Sequence, residues 1–271
     1  SFIKRIDKNK FNIINFRRPH YDLQKKNTIK SFLETLNTLN NNKNIIFFAA
    51  AIAPCKTYEE YYANIKMLEN FCYFFNDKNV EHFYYLSSDA VFSDSMKRIN
   101  EKSKKHPRNI HGLMHIMREK LIHSLFPKKS NFLRPTLVYG YGDKHNGYGP
   151  NLFINNLKRS KNIKLFGKGE ELRDHIYNYD LGYLISEIIN NFVKQDFNLV
   201  TGKEVTFNSI AKKIIKLSNS NIRLTSLKRN QPMPHNGYRV FDNSKIYKFF
   251  PNFKFTKFDK SLNDYLSNFK V

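Results

Sequence analysis

HFYYLSS, residues 82 to 88, is a run of apolar and aromatic residues of strand length that ends on two serines. Such a run alone suits a buried strand or a stretch of buried helix, so its surroundings decide the reading. IIFFAA at 45 to 50 precedes it, NFLRPT at 131 to 136 follows it, and FNIINF at 11 to 16 has the same short, apolar texture. Between these runs, residues 28 to 40, 59 to 75 and 109 to 125 are longer and space their apolar side chains as amphipathic helices do. Strand, helix, strand in this rhythm predicts an α/β fold built on a parallel sheet with flanking helices. Ligands of such sheets lie beyond the C-terminal ends of the strands. Ala49, Ala50 and Ala51, then Ser87, Ser88 and Asp89, then residues 136 to 140 fall there.

The chain has 271 residues, 41% of them hydrophobic and 15% aromatic, which suffices for a full core. No apolar run approaches a membrane span, and SFIKRIDKNK at the start lacks a signal-peptide pattern, so no membrane partner is expected. Cys55 and Cys72 form no CxxC and no disulfide framework, which makes a reducing cytoplasm the default location. The formal charge of +23 would suit nucleic acid, but lysine is spread along the chain beside abundant Asn, Ile, Phe and Tyr, as AT-rich coding favours. No recognition motif accompanies it, so no nucleic-acid partner is expected, although the charge would attract anionic substrates.

After residue 140 the texture changes, since YGYGDKHNGYGP is rich in turn residues and the segments beyond are shorter and mixed. Helices are expected at 151 to 158, 180 to 194, 206 to 218 and 259 to 268, with strands IKLF at 163 to 166 and FNLV at 197 to 200. Residues 1–150 thus read as a dinucleotide-binding domain and 151–271 as a smaller substrate-binding lobe, partly interleaved with the first.

A doubly wound nucleotide-binding sheet normally opens with a strand and a Gly-rich turn, where backbone meets pyrophosphate at a helix N-terminus. This sequence has neither: SFIKRIDK reads as the body of the first helix and FNIINF as the second strand. A missing central strand would expose an apolar edge, so an upstream segment outside this chain is expected. Arg17 and Arg18 follow FNIINF, where an arginine suits the 2′-phosphate of NADP and an acidic residue the ribose of NAD. This tilts the cofactor toward NADP, though in so basic a chain the pair also reads as surface charge.

YDL at 21 to 23, the AAA run, YYANIKMLENF at 61 to 71, YLSSDAVF at 85 to 92, LRPTLVYGYGD at 133 to 143 and LFGKGEELRDHIYNYDLGYLI at 165 to 185 together carry a resemblance. In their order and spacing the chain resembles the extended short-chain dehydrogenase/reductases that act on nucleotide sugars as epimerases, 4,6-dehydratases and reductases. The resemblance implies a Rossmann-like fold, NAD or NADP as cofactor, a UDP- or dTDP-linked sugar as substrate, and a homodimer through the helices around 60 to 75 and 109 to 125. It implies that Asp22 and Leu23 approach the adenine, that Ala49, Ala50 and Ala51 line the dinucleotide, and that Asn64 supports the strand ends. Ser88 matches the Ser/Thr that hydrogen-bonds the reacting sugar oxygen. Asp89 follows as in the dehydratases, but Ala90 replaces their next acidic residue, which counts against a typical 4,6-dehydratase. Arg134 and Thr136 resemble the strand and loop beside the nicotinamide, with Ser87 on the cofactor side. Arg173 and Asp180 resemble the arginine and aspartate of the nucleotide-sugar part, where a guanidinium fork suits a diphosphate. Arg173 also reads as half of an ion pair closing the lobe.

The departure lies in HGLMHIMREK, residues 111 to 120. The family carries YxxxK on this helix, the tyrosine exchanging a proton and the lysine lowering its pKa; here the two positions are His111 and His115. Three readings stand side by side. A histidine titrates near neutrality and can act as acid or base, although it is shorter than a phenol arm and His115 lacks a lysine's permanent charge. His111, His115 and Glu119, one turn apart each, could instead hold a metal, but no HExxH accompanies them and no metal is expected. Or the fold binds without a redox step. Met114 and Met117 read as packing residues, and Arg118 and Glu119 as solvated. The expectation is an NAD(P)-dependent nucleotide-sugar epimerase or reductase with weakened or altered catalysis; the alternative is an inactive homologue that binds a nucleotide sugar or a protein partner.

Overall fold

In chain order the elements are α1 (Lys26–Asn37), β1 (Asn44–Phe48), α2 (Tyr58–Phe74), β2 (Val80–Leu86), α3 (Ile110–Leu125), β3 (Ser130–Pro135) and β4 (Leu137–Tyr139). They continue through α4 (Pro150–Lys158), β5 (Ile163–Phe166), β6 (Leu172–Arg173), β7 (His175–Tyr177), α5 (Asn178–Asn190), β8 (Phe197–Leu199) and β9 (Val205–Thr206). The last are α6 (Phe207–Ser218), β10 (Leu224–Leu227), β11 (Tyr238–Arg239), α7 (Ser244–Phe249) and α8 (Phe258–Ser267). This computed structural model describes residues 2–16, 18, 20–37, 44–75, 80–142 and 147–268.

The main sheet has the order β1-β2-β3-β8, and every neighbouring pair is parallel. Both faces are covered, as parallel sheets require, so β2 has no polar alternation. Phe83 and Tyr85 point to one face and join Phe48, Phe71, Ile122 and Phe126 from the α2 and α3 side. Tyr84, between them, points to the other and joins Leu133, Leu184, Ile188 and Phe197 under α5. At roughly 1.5–3 kcal/mol for each fully buried large side chain, these two layers dominate the stability of the sheet.

In the region expected as the substrate-binding lobe a further core forms, in which Phe153 of α4, Ile163 and Leu165 of β5, Ile210 and Ile214 of α6, and Leu262 and Tyr265 of α8 meet, joined by Tyr139 of β4. FNLV, expected among the strands of this lobe, instead returns to the main sheet as β8 beside β3. The reason is burial, since Phe197 and Leu199 are fully enclosed there by the α5 layer.

Two expectations at the start of the chain fail. FNIINF forms no strand: residues 11–16 carry no ladder, although Phe11 and Ile13 pack against the α5-side core and Phe16 against the opposite one. A strand needs a partner, and among the described residues β1 pairs on one side alone, with β2. SFIKRIDK gives a single 3-10 turn, Phe2–Arg5, which packs on α5 and β1 through Phe2 and Phe47 (ring centroids 4.8 Å apart). No helix among the described residues is long and apolar enough to cross a membrane.

One buried ion pair ties α3 to the sheet. Arg134 of β3 donates from Nε to Glu119 Oε1 and from Nη2 to Glu119 Oε2, both at 2.7 Å, with the two side chains 1% and 4% exposed. Ser87 Oγ donates to the same carboxylate at 2.7 Å, and Asp196 accepts from Arg134 Nη2 at 3.0 Å. Burial alone would loosen the guanidinium's proton, but Glu119 and Asp196 outweigh it and raise the Arg134 pKa. Removing one partner of such a pair strands a buried charge. Glu119→Ala is therefore expected to lower the unfolding free energy by about 3–5 kcal/mol in urea denaturation, while the double replacement Glu119→Leu, Arg134→Met recovers most of the loss.

Candidate active site

The C-terminal ends of β1 and β2 form the floor of the site. Ala49 and Ala51 are exposed and Ala50 half-buried, so backbone is presented there without bulky side chains, which fits a flat dinucleotide lying across it. Asn64 of α2 fixes this segment: its Nδ2 donates to Ile52 O at 2.9 Å and to Glu60 O at 2.8 Å, and its Oδ1 accepts from Ile52 N at 2.9 Å. Side chains of consecutive residues in extended backbone point to opposite faces, and the two serines after β2 obey this rule. Ser87 turns inward to Glu119, while Ser88 is half-buried and caps the 3-10 turn Asp89–Val91, its Oγ accepting from Ala90 N at 3.1 Å and lying 3.4 Å from Asp89 Oδ1.

Helix α3 enters directly beside that turn. Its N-cap, Asn109, accepts from Gly112 N at 2.8 Å. A Cβ at Gly112 would lie 2.2 Å from Ala90 O and 2.5 Å from Pro107 Cβ, so only glycine lets the first helical turn touch the backbone after Ser88. This contact brings His111 to the floor. Its Nδ1 accepts a hydrogen bond from Cys55 N at 3.2 Å, and its ring meets that of His115 edge-on, with centroids 4.7 Å apart and planes at 89°.

His115 is 3% exposed, and its Nδ1 lies 2.7 Å from the Tyr85 hydroxyl. Burial first, then His111 and Arg118 beside it, hold its pKa well below the usual imidazole range. Burial pushes the Tyr85 phenol up to about 12, so it stays protonated. The position that carries a lysine in the resembled family is thus neutral. Arg118, expected as a solvated residue, is fully buried: it donates from Nη1 to Ala50 O at 2.8 Å and from Nε to Asn64 O at 3.0 Å, with its guanidinium over the Phe48 and Tyr85 rings. Glu119, also expected as solvated, belongs to the Arg134 pair. The polar stripe of α3 faces the strand ends instead of water. Of the two methionines read as packing residues, Met114 is buried and Met117 is exposed.

Glu119 is taken up by Arg134 and Ser87, and no group of three or more His, Cys, Asp or Glu among the described residues is placed to hold a metal. Arg134, expected beside the nicotinamide, keeps its side chain in the buried pair under the strand ends. Thr136 is likewise buried, with Oγ1 donating to Asp174 O at 3.0 Å.

A second group lies on the lobe side of Ser88. Arg239, 2% exposed, donates from Nε to Asp89 Oδ2 at 3.2 Å and from Nη1 to Phe92 O and Ser93 O, each at 3.3 Å, and approaches Asp94 Oδ1 at 3.7 Å. Asp94 in turn lies 2.6 Å from His235 Nδ1. Arg173 donates to Glu171 Oε2 at 2.9 Å and to Pro234 O at 2.7 Å, and Arg229 reaches Glu171 Oε1 at 2.6 Å. Burial, the largest influence, lowers the Arg173 pKa against the opposing pull of Glu171 and Asp89. Arg173 and Asp180 are not partners. The Asp180 carboxylate accepts from Thr256 Oγ1 at 2.7 Å and Thr256 N at 2.9 Å, tying α5 to the segment before α8. No signal in the sequence singles out Arg229, Arg239, Asp94, His235 or Tyr85. Arg239 in NGYRVFD lies among turn and aromatic residues, a context without a chemical pattern of its own.

At the other end, Asp22 accepts from Gln24 N at 3.0 Å and lies 3.6 Å from Arg18, and Leu23 O accepts from Asn70 Nδ2 at 3.0 Å, holding this segment against α2. Arg17 lies outside the described residues.

Comparison with known proteins agrees with this geometry. A model of the NAD dependent epimerase/dehydratase family matches residues 8–199, well over half of the chain. Among solved structures, the chain is similar to UDP-glucose 4-epimerase of Thermus thermophilus in complex with NAD, with a TM-score of 0.78, 14% identity, and coverage of 92% of this chain and 83% of that one. It is also similar to a GDP-L-fucose synthetase of Naegleria fowleri bound to NADP, with a TM-score of 0.75, 15% identity and coverage of 93% and 82%. UDP-N-acetylglucosamine 4-epimerase of Methanobrevibacter ruminantium, in complex with UDP-N-acetylmuramic acid, gives a TM-score of 0.70 at 21% identity, covering 85% and 77%. With a parallel sheet, a helix docked on the serine turn through Gly112, and the family match spanning both, the chain belongs to the NAD dependent epimerase/dehydratase family.

Proposed function

We propose that this protein is an NAD(P)-dependent epimerase or reductase acting on a nucleotide sugar, with catalysis altered by the replacement of tyrosine and lysine by His111 and His115. The observation that carries the reading is the backbone contact at Gly112, which sets His111 next to the Ser88 turn at the open ends of β1 and β2. Ser88 orients the reacting sugar oxygen, and Asp89, held by Arg239, fixes the turn on which Ser88 sits. Ala49, Ala50, Ala51 and Asn64 would line the dinucleotide, which when bound supplies the hydride chemistry. The relatives in complex with NAD and with NADP support either form, and Arg18 beside Asp22 favours NADP.

Arg173 and Arg229, converging on Glu171, suit the diphosphate of a nucleotide sugar, because each guanidinium offers paired donors in a fixed fork. A second reading, binding of a nucleotide sugar without turnover, is favoured by one observation: the lysine position holds a buried neutral imidazole. A UDP- or dTDP-linked sugar remains the ligand in both. Dimerisation through α2 and α3 is supported by apolar side chains left exposed there, Leu113 and Met117 one turn apart on α3 and Tyr58 and Tyr62 on α2.

Calorimetry on the full-length chain with NAD, NADP and a panel of UDP- and dTDP-sugars tests the first claim; no binding of either dinucleotide at millimolar concentration would sink it. With a nucleotide sugar that binds, Arg229→Ala is expected to weaken affinity roughly 10- to 150-fold, the worth of one charge-assisted hydrogen-bonding group, and an unchanged Kd removes that arginine from the diphosphate site. Met117→Glu is expected to shift the chain from dimer to monomer in sedimentation velocity at micromolar concentration, and a dimer that survives this change uses another face.

A further inference from the structure

Arg173 in the lobe and the Ser88 turn at the end of β2 belong to different parts of the site, but one short stretch of chain joins them. β11 runs parallel to β6, with Tyr238 opposite Leu172 and Arg239 opposite Arg173. The two arginines are register partners on strands about 4.8 Å apart, so a displacement of one strand is felt by the other. Their guanidinium groups nevertheless serve different places. Arg173 stays in the lobe, on Glu171 Oε2 and Pro234 O. Arg239 reaches across to the main sheet.

What it finds there is a turn with little else to hold it. Past the bond from Ser87 N to Leu133 O, at 2.8 Å, the chain leaves the ladder. Ala90 N donates to Ser88 Oγ at 3.1 Å, Val91 N to Ser88 O at 3.4 Å and Phe92 N to Asp89 O at 3.1 Å. These bonds set the shape of the turn and not its place. On the helix side it rests against Gly112 by close contact. On the lobe side Arg239 donates from Nε to Asp89 Oδ2, from Nη2 to Asp89 O, and from Nη1 to Phe92 O and Ser93 O. A second grip comes from the same stretch, where His235 Nδ1 lies 2.6 Å from Asp94 Oδ1. His235 and Asn236 stand at φ 55° and 52°, left-handed backbone that a residue with a side chain keeps only where its surroundings enforce it.

We propose that Arg239 is a positioning residue that couples the two parts of the site, so that an anion held by Arg173 and Arg229 steadies the turn carrying Ser88 and Asp89. The path is short and physical. A ligand that fixes Arg173 fixes β6, β6 is paired to β11, and the Arg239 guanidinium carries the constraint to the backbone carbonyls and carboxylate of the turn. Coupling of this kind is reciprocal, since a turn left loose lowers the affinity for the anion by the same factor. Its worth lies in placement, because an error of about 1 Å in a group that orients the reacting oxygen can cost on the order of 100-fold in rate. The anion rests on the diphosphate role proposed for Arg173 and Arg229, whereas the grip of Arg239 on the turn does not, and the two are tested separately.

The grip is tested first, on the unliganded full-length chain, by amide hydrogen exchange read residue by residue. In Arg239→Met the amides of Ala90, Val91 and Phe92 are expected to exchange at least about ten-fold faster than in the wild type, the worth of one charge-assisted hydrogen bond, while the amides of β1 and α6 stay within roughly two-fold. Arg239→Lys, which keeps a cation for Asp89 and loses the fork, is expected to show the same pattern at smaller size, and it carries the test if the methionine variant does not fold. Unchanged turn amides, or a uniform acceleration through the molecule, overturn the role of Arg239. The coupling is tested with inorganic pyrophosphate and with UDP. Either anion, once bound, is expected to slow the three turn amides about five-fold or more in the wild type and to leave them unchanged in Arg239→Lys. Binding without slowing, or equal slowing in the variant, overturns the coupling. No binding of either anion at millimolar concentration removes the diphosphate site and the coupling with it, and the first measurement separates that failure from an error about Arg239.

Discussion

The bidentate pair between Glu119 and Arg134 is the constraint on which the site depends. It joins the middle of α3 to β3, and through Ser87 it reaches the end of β2, so three elements that make separate contributions to the core share one polar anchor. A buried ion pair of this kind is weak as a source of net stability, because desolvation offsets most of the Coulomb gain. Its effect is on position. An α3 that slid along the sheet would separate a buried guanidinium from the carboxylate it grips with two hydrogen bonds, leaving it a single carboxylate contact, to Asp196, among the described residues. The Gly112 contact then sets the distance of the first helical turn from the Ser88 turn, and the two constraints together fix where residue 111 stands.

The same logic separates what could be read in the sequence from what could not. β1, β2 and β3 were legible because strands buried on both faces are short, nearly continuous apolar runs, and the helices between them showed their period. FNIINF has an equally persuasive pattern, yet a strand exists only with a ladder partner, and pattern carries no information about partners. FNLV was recognised as a strand but assigned to the lobe, since nothing in four residues says which sheet they will join. The two-residue strands β6, β9 and β11 are too short to have a period at all.

For the site, residue types were visible but their directions were not. Arg118 and Glu119 look like an exposed polar stripe, and adjacent charges on a helix usually are one. Here Arg118 turns to the carbonyls of Ala50 and Asn64 and Glu119 to Arg134, so both tie α3 to the strand ends. Arg134 is expected beside the nicotinamide and Arg173 in the nucleotide-sugar part; in the structure both guanidinium groups are buried in ion pairs, Arg134 with Glu119 and Asp196 and Arg173 with Glu171, which Arg229 also reaches.

His111 and His115, one turn apart, stand in different surroundings. His115 is a ring that burial keeps neutral, and the permanent charge near it comes from Arg118, whose hydrogen bonds go to the backbone carbonyls of Ala50 and Asn64. A tyrosine made acidic by a neighbouring lysine works by losing its proton. The His111 ring differs from such a phenol, since its Nδ1 already accepts a hydrogen bond from the backbone of Cys55.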